Sequence, residues 1–240
     1  MGVHVYHGQC WPRQWFPEVM TRILTHLHSG DDLSHTLNHL AARDEGMRDA
    51  LTQCGVPALR RRAPGFEGLA AIITGQQVST HAARAIWNRL ETGLGEVSYG
   101  AVSKAADEDL AACGLSRPKI RTLRALVEAV ESGALDFVQL DGADDETVHT
   151  TLTSIKGIGP WTADIFLLFC LGRADAWPAG DLALMEAIRI MRGLPDRPKG
   201  EDRILLADCW RPYRGAAAHL RWAYYAAAKG RSGVPDISGE

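Results

Sequence analysis

Residues 152–163 read LTSIKGIGPWTA, and this stretch decides the fold. Gly157 and Gly159 flank one apolar residue, and glycine adopts positive φ angles without steric cost. Pro160 suits the first turn of a helix, where its missing N–H has no partner to lose. Apolar residues recur at helical spacing on both sides. The stretch therefore predicts a helix, a tight hairpin and a second helix that begins near Pro160.

Such a helix start favours a bound anion. Its free N–H groups and the positive end of the helix dipole attract negative charge, and a nucleic-acid phosphate is a natural candidate. Lys156, just before the first glycine, either adds a phosphate contact or points to solvent. A lone Gly-X-Gly is equally typical of a plain interhelical turn, so this motif alone leaves both alternatives open.

The bulk composition predicts a soluble globular protein of the cytoplasm. The 240 residues are 46% apolar and 23% charged, enough for one large or two small domains. Because no apolar run approaches 18 residues and no leader is visible, we expect no membrane association. The five cysteines are scattered and odd in number, which predicts neither a disulfide framework nor a side-chain metal site.

The charge distribution carries more information than the net charge. A formal charge of −3 does not by itself indicate a nucleic-acid-binding protein. Basic residues cluster at 60–62, 117–124 and 211–221, whereas acidic residues gather at 141–146. A segregated surface can hold DNA on one face, although each cluster alone is more typical of a solvated helix face.

Helical patterns dominate, and the sequence predicts an all-α fold. Gly93 and Gly95 are expected to end one helix, and residues beyond Gly230 are expected to form a mobile tail. Helices are predicted over residues 16–29, 33–40, 45–53, 66–75, from Ser79 or Thr80 to Leu90, over 107–113 and 120–130, on both sides of the hairpin, over 182–191 and over 216–229.

Four motifs in order along the chain carry a resemblance to a known family. They are GQQVS at Gly75–Ser79, GLSRPK at Gly114–Lys119, IKGIGPWTA at Ile155–Ala163 and PAGD at Pro178–Asp181. Together they resemble the helix-hairpin-helix DNA glycosylases, most closely the short-form 3-methyladenine DNA glycosylase II branch. The resemblance spans about residues 40 to 228.

The resemblance implies two helical subdomains, with DNA and a flipped base in the cleft between them. It predicts an N-terminal helical extension at 1–40 that packs with the C-terminal subdomain, and a glycosylase region at 41–228. Within that region the central subdomain spans about 66–180, the remainder joins 181–228, and residues 229–240 form a tail.

The resemblance assigns the catalytic carboxylate to Asp181. Cleavage of an N-glycosidic bond builds positive charge on the sugar, and a carboxylate can stabilise that charge or orient the attacking water. Asp181 also directly precedes a predicted helix, so it is equally suited to capping that helix. The same residue can serve both purposes.

The resemblance also predicts the base pocket. Bifunctional members carry a lysine nucleophile where this chain has Trp161, so the implied enzyme is monofunctional. An indole there can stack on an extruded cationic base, with helix packing as the alternative. Trp222 matches a second pocket aromatic or packs in the core, and Ile165 and Leu182 replace tyrosines, which predicts a more aliphatic pocket.

The DNA contacts implied by the resemblance lie in two motifs. Gln77 occupies the position of the wedge that fills the gap left by a flipped nucleotide, or else it is a turn residue. A monovalent cation, Na⁺ or K⁺, is expected at the backbone carbonyls of Thr153, Ile155 and Ile158, with no other cofactor. The implied DNA-binding residues are Gln77, Ser79, Gly157, Gly159 and Thr162.

The expected activity is release of alkylated purines such as 3-methyladenine and 7-methylguanine from double-stranded DNA by hydrolysis. Uracil or mismatched bases are alternative substrates, and a noncatalytic DNA-binding protein is the alternative from a different class. We expect a monomer that acts on damaged DNA in a bacterial cytoplasm, in association with the nucleoid.

Overall fold

The computed structural model describes residues 23–230, and this part of the chain contains helices but no β-strand. The predicted all-α fold is therefore confirmed. The helices are α1 Gly30–Ala41, α2 Glu45–Cys54, α3 Phe66–Gly75, α4 Thr80–Leu94, α5 Tyr99–Lys104, α6 Asp107–Ala112, α7 Arg117–Glu131, α8 Phe137–Gly142, α9 Asp145–Thr153, α10 Pro160–Ile165, α11 Leu182–Met191, α12 Asp202–Leu205 and α13 Arg214–Ala228.

Most of the predicted helices are found, and local chemistry explains the bounds. The Ser79 side chain accepts a hydrogen bond from the Ala82 amide and so caps α4. Gly95, at a φ of +76°, ends α4, whereas Gly93 lies inside it. The short helices α5, α8 and α12 were not predicted, although α6 and α10, with six residues each, were.

The helix predicted over 16–29 is wrong for its described part, residues 23–29, and its remainder lies outside the described residues. The chain becomes helical only at Gly30, because Ser29 and Asp32 form a reciprocal capping box. The Asp32 amide donates to Ser29 Oγ at 3.1 Å, and the Ser29 amide donates to Asp32 Oδ2 at 2.9 Å. The predicted tail beyond Gly230 also lies outside the described part.

The chain divides into two compact units. Among the described residues, one unit contains residues 60–178, and the other contains 23–59 together with 179–230. The sequence predicts a central subdomain over about 66–180. None of the helices between residues 23 and 230 is both long and apolar enough to cross a membrane.

The 60–178 unit is built around the apolar helix α3, which contacts α4, α7 and α10. Leu69 and Ile73 of α3 are completely buried. After α10 the chain continues as one π-helical turn over Phe166–Cys170, where the Leu171 amide donates to the Phe166 carbonyl at 3.1 Å. All five residues of this turn are buried, so it forms part of the core.

In the second unit, α13 packs against α1, α2 and α11. Trp210 is fully buried, and its indole N–H donates to Asp44 Oδ2 at 2.9 Å. The Arg221 guanidinium lies 4.6 Å from the centre of the Trp210 ring, a cation–π contact. Burial lowers the pKa of Arg221 to about 10.

Candidate active site

The hairpin has the predicted helix-turn-helix geometry, but its two glycines differ. Gly157 has a φ of +92°, and a Cβ placed there would collide with Thr122 Oγ1 of α7. Gly159 is extended, at a φ of −98° and a ψ of 173°, and it is the N-cap residue of α10. The prediction of positive φ therefore holds for Gly157 alone.

The backbone amides of the two glycines share one property. Within residues 23–230, neither amide donates a hydrogen bond. A Cβ added at Gly159 would also meet no described atom within 4 Å. The fold itself therefore does not require glycine at position 159, which is consistent with close approach by an external group.

The predicted cation ligands lie where the helix before the hairpin ends. The carbonyls of Thr153 and Ile158 accept no hydrogen bond from the described part of the chain, whereas the Ile155 carbonyl accepts the Ile158 amide at 3.0 Å. Each carbonyl oxygen has two lone pairs, so all three retain capacity for a ligand. Backbone oxygens are the ligands that hard cations prefer, so the donor set fits the expected ion.

Gln77 lies in the loop between α3 and α4, and its side chain is exposed. Its φ of +55° places it in the left-handed region, which a residue other than glycine rarely adopts. Strained backbone of this kind is enriched at functional sites. The conformation is compatible with the predicted wedge, and the assignment stays a prediction.

Two side chains whose role was not predicted, those of Gln76 and Lys119, support this loop. Gln76 Nε2 donates to Thr162 Oγ1 at 2.8 Å, and Lys119 Nζ donates to the Thr74 carbonyl at 2.7 Å. Lys119 is the last residue of the GLSRPK motif, which was the available indication of its importance. Burial lowers the pKa of this lysine.

The other predicted site residues of the 60–178 unit differ in how far their side chains are buried. Thr162 is 2% exposed, so its contribution here is to hold Gln76, and a direct DNA contact stays a prediction. Ser79 is exposed, with its hydroxyl used in capping α4. Trp161 is half-buried in the first turn of α10, whereas Ile165 is buried in the core.

Asp181 lies in the second unit as the N-cap residue of α11. Its Oδ1 accepts the amides of Ala183 and Leu184, each at 2.9 Å. The alternative of a helix cap is therefore confirmed as one role of the residue. Leu182 follows in the first turn of α11 and is 65% exposed, and its place in the base pocket stays a prediction.

Trp222 of α13 contacts Asp181 directly. Its indole N–H donates to Asp181 Oδ1 at 3.1 Å, and its side chain is 4% exposed. The His219 ring packs edge-on against it, with 6.0 Å between the ring centres. Among the residues predicted for catalysis, the pocket and DNA binding, Asp181, Leu182 and Trp222 lie in one unit. The other seven lie in the 60–178 unit, as do the three predicted cation ligands.

Some arginines of the basic clusters stabilise the fold through hydrogen bonds to backbone carbonyls. Arg124 donates to the carbonyls of Val102 and Ala105 at 2.6 Å each, where α5 ends. Arg61 donates to the Cys170 carbonyl at 3.3 Å. Arg117 and Arg121 are exposed on α7, the helix whose Thr122 meets the hairpin. The second cluster therefore divides into internal and surface cations.

A helical fold, a Gly-X-Gly hairpin and a capping aspartate that ends a PAGD motif are together typical of one class of DNA repair protein. The profile of the HhH-GPD superfamily base excision DNA repair proteins matches residues 70–212. The chain belongs to this superfamily, which confirms the resemblance.

Known relatives cover most of the chain. It is 30% identical to DNA-3-methyladenine glycosylase 1 of Schizosaccharomyces pombe, over 77% of this chain and 84% of that one. The structure of a DNA-3-methyladenine glycosidase from Bacillus halodurans aligns with a TM-score of 0.67 at 32% identity, over 84% and 94% of the two chains. That of S. pombe 3-methyladenine DNA glycosylase (Mag1) with abasic DNA gives 0.73 at 29% identity, over 81% and 97%.

Proposed function

We propose that this protein is a monofunctional DNA glycosylase that releases alkylated purines, such as 3-methyladenine and 7-methylguanine, from double-stranded DNA. The observation that carries the proposal is the Asp181 carboxylate, held at the start of α11 by two backbone amides and an indole N–H. A noncatalytic DNA-binding protein needs no acidic residue at this position of the motif. The relatives support the substrate class, because they are named for 3-methyladenine.

The reaction needs little besides a well-placed carboxylate. Methylation at N3 or N7 gives the purine a formal positive charge, so the base leaves as a neutral molecule when the C1′–N bond breaks. The sugar acquires oxocarbenium character, which the Asp181 carboxylate would stabilise. Water then bonds to C1′ and loses a proton, which leaves an abasic site.

The hairpin is the proposed contact with the DNA backbone. The amides of Gly157 and Gly159, which donate to no group within residues 23–230, suit a phosphate oxygen. The carbonyls of Thr153, Ile155 and Ile158 would hold a monovalent cation that favours the negative phosphate. Mag1, solved in complex with abasic DNA, supports DNA as the partner. A monomer acting in a bacterial cytoplasm stays a prediction.

Trp161 in place of lysine leaves α10 without the amine that forms a Schiff base. We therefore expect base release without strand cleavage, and no covalent adduct when borohydride is added to the reaction. A bifunctional glycosylase treated in parallel provides the positive control. Strand scission without heat or alkali would contradict the monofunctional proposal.

The test of substrate class uses duplexes that each carry one 3-methyladenine, 7-methylguanine, uracil or mismatched base. We expect release of the methylated purines above the spontaneous rate. Release of uracil alone would support the alternative substrate class. Binding of every duplex without release of any base would support the noncatalytic alternative.

A further inference from the structure

If the proposed function is correct, the contact between Trp222 and Asp181 also affects catalysis. Three donors converge on one oxygen, since Oδ1 accepts the Ala183 and Leu184 amides at 2.9 Å and the Trp222 indole N–H at 3.1 Å. The two amides belong to the helix that Asp181 itself caps. The indole belongs to another helix, α13, and approaches from outside that turn.

Capping alone leaves a carboxylate some freedom. Two amides from one helical turn hold Oδ1 from one side only, so some rotation about the Cβ–Cγ bond remains. A third donor from a different helix restricts rotation about the Cβ–Cγ bond, so Oδ2 points in one direction. A carboxylate that must meet developing charge on a sugar depends on that direction, because a misplacement of about 1 Å can cost about 100-fold in rate.

The surroundings of Trp222 agree with a supporting role. Only 4% of the residue is exposed, and the His219 ring packs against it edge-on. His219 is itself 2% exposed and anchored by a 2.8 Å hydrogen bond between Nδ1 and the Gly215 carbonyl. A base stacks on an open aromatic face, whereas this indole is enclosed and directs its polar edge at the carboxylate.

We propose that Trp222 is a positioning residue that orients the Asp181 carboxylate through its indole N–H, in place of the base-stacking role that the family resemblance predicts for it. The inference rests on the proposed glycosylase function. Trp222 then acts on the reaction at the sugar, so its effect on the rate should not depend on which base is released.

Trp222→Phe separates the two roles, because phenylalanine keeps an aromatic face and loses the N–H. Under single-turnover conditions we expect the rate of base release to fall about 10- to 100-fold, the range that loss of a hydrogen bond orienting a metal ligand typically costs. The factor should be equal for 3-methyladenine and 7-methylguanine. Affinity for duplex DNA carrying tetrahydrofuran, an abasic-site analogue, should stay within about twofold, which also reports correct folding.

Trp210→Phe is the matched control. Trp210 lies in the same unit and donates its indole N–H to Asp44, the N-cap residue of α2. This variant removes an equivalent hydrogen bond from an aspartate that the reaction does not use. We expect lower thermal stability and an unchanged rate of base release.

A double-mutant cycle completes the test. If Trp222 acts through Asp181, then Trp222→Phe should lower the rate of Asp181→Asn by less than about twofold. A full-rate Trp222→Phe variant, or a factor that differs between the two bases, would overturn the positioning role while leaving the proposed function intact. Absence of base release by the wild type would instead overturn the function itself.

Discussion

The side-chain amide of Gln76 donates to the hydroxyl of Thr162 at 2.8 Å and joins the α3–α4 loop to α10. These residues are 86 positions apart, yet they connect the predicted wedge with the hairpin helix. The bond lies inside the 60–178 unit, where Thr162 is almost completely buried. Residues of two separate motifs therefore hold each other in place.

Thr162→Val tests this connection, since valine keeps the shape and removes the hydroxyl. We expect a loss of about 1 kcal/mol in the free energy of unfolding and several-fold weaker binding to tetrahydrofuran-containing duplex. Thr92→Val is the control, because the Thr92 hydroxyl bonds within its own helix. Equal DNA affinity for both variants would show that the connection does not support binding.

The two hairpin glycines should respond differently to alanine. Gly157→Ala forces a side chain into positive φ and against Thr122, so we expect at least about 1 kcal/mol of destabilisation in urea unfolding. In Gly159→Ala the added methyl group meets no described atom within 4 Å, so the free energy of unfolding should change by less than about 0.5 kcal/mol. The methyl group should nevertheless reduce DNA affinity about tenfold by blocking the approach of a phosphate. Full affinity in Gly159→Ala would argue against this contact.

Asp181→Ala should cost more stability than loss of an ordinary N-cap. The cap contributes about 0.5–2 kcal/mol, and loss of the hydrogen bond from the Trp222 indole adds about 0.5–1.5 kcal/mol. Asp136→Ala is the comparison, since Asp136 caps α8 through two amides. We expect Asp181→Ala to lower the unfolding free energy by about 1 kcal/mol more than Asp136→Ala. Equal losses would indicate that the Trp222 bond contributes nothing to stability.

The lowered pKa of buried Lys119 should make the free energy of unfolding depend on pH. Because burial lowers its pKa in the folded state, the unfolded chain binds the proton more tightly. The free energy of unfolding of the wild type, relative to Lys119→Met, should therefore rise as the pH increases toward the ordinary lysine value of 10.5. Urea unfolding at several pH values measures this difference. The exposed Lys104→Met variant controls for removal of one charge, and a difference that falls with pH would contradict the prediction.

The sequence correctly predicted those helices in which the apolar spacing and the capping residue indicate the same start. Helix α11 is found at the predicted residues 182–191, because its apolar spacing follows directly after a capping aspartate. The sequence predicted a helix after the hairpin but not its π-helical turn at 166–170, because apolar spacing does not distinguish an i→i+5 hydrogen bond from an i→i+4 hydrogen bond. The helix predicted over 16–29 failed in its described part, because local hydrogen bonds at Ser29 and Asp32 overrode the apolar spacing.

The candidate site was predictable as far as residue types and order allow. The sequence identified Asp181 and the hairpin, but not the partners that lie far away along the chain, such as Trp222 for Asp181. Gln76 and Gln77 are identical neighbours, and only the structure shows that the Gln76 side chain bonds to Thr162 while Gln77 adopts positive φ. Such assignments depend on tertiary contacts that no local pattern contains.

The most direct test of the central claim compares the wild type with Asp181→Asn on 7-methylguanine duplex under single-turnover conditions. Asparagine keeps an oxygen to cap α11 and to accept from Trp222, and it loses the charge. We predict at least about a 100-fold slower release of the base, with unchanged thermal stability and affinity for tetrahydrofuran-containing duplex. Base release by Asp181→Asn at the rate of the wild type would contradict the account.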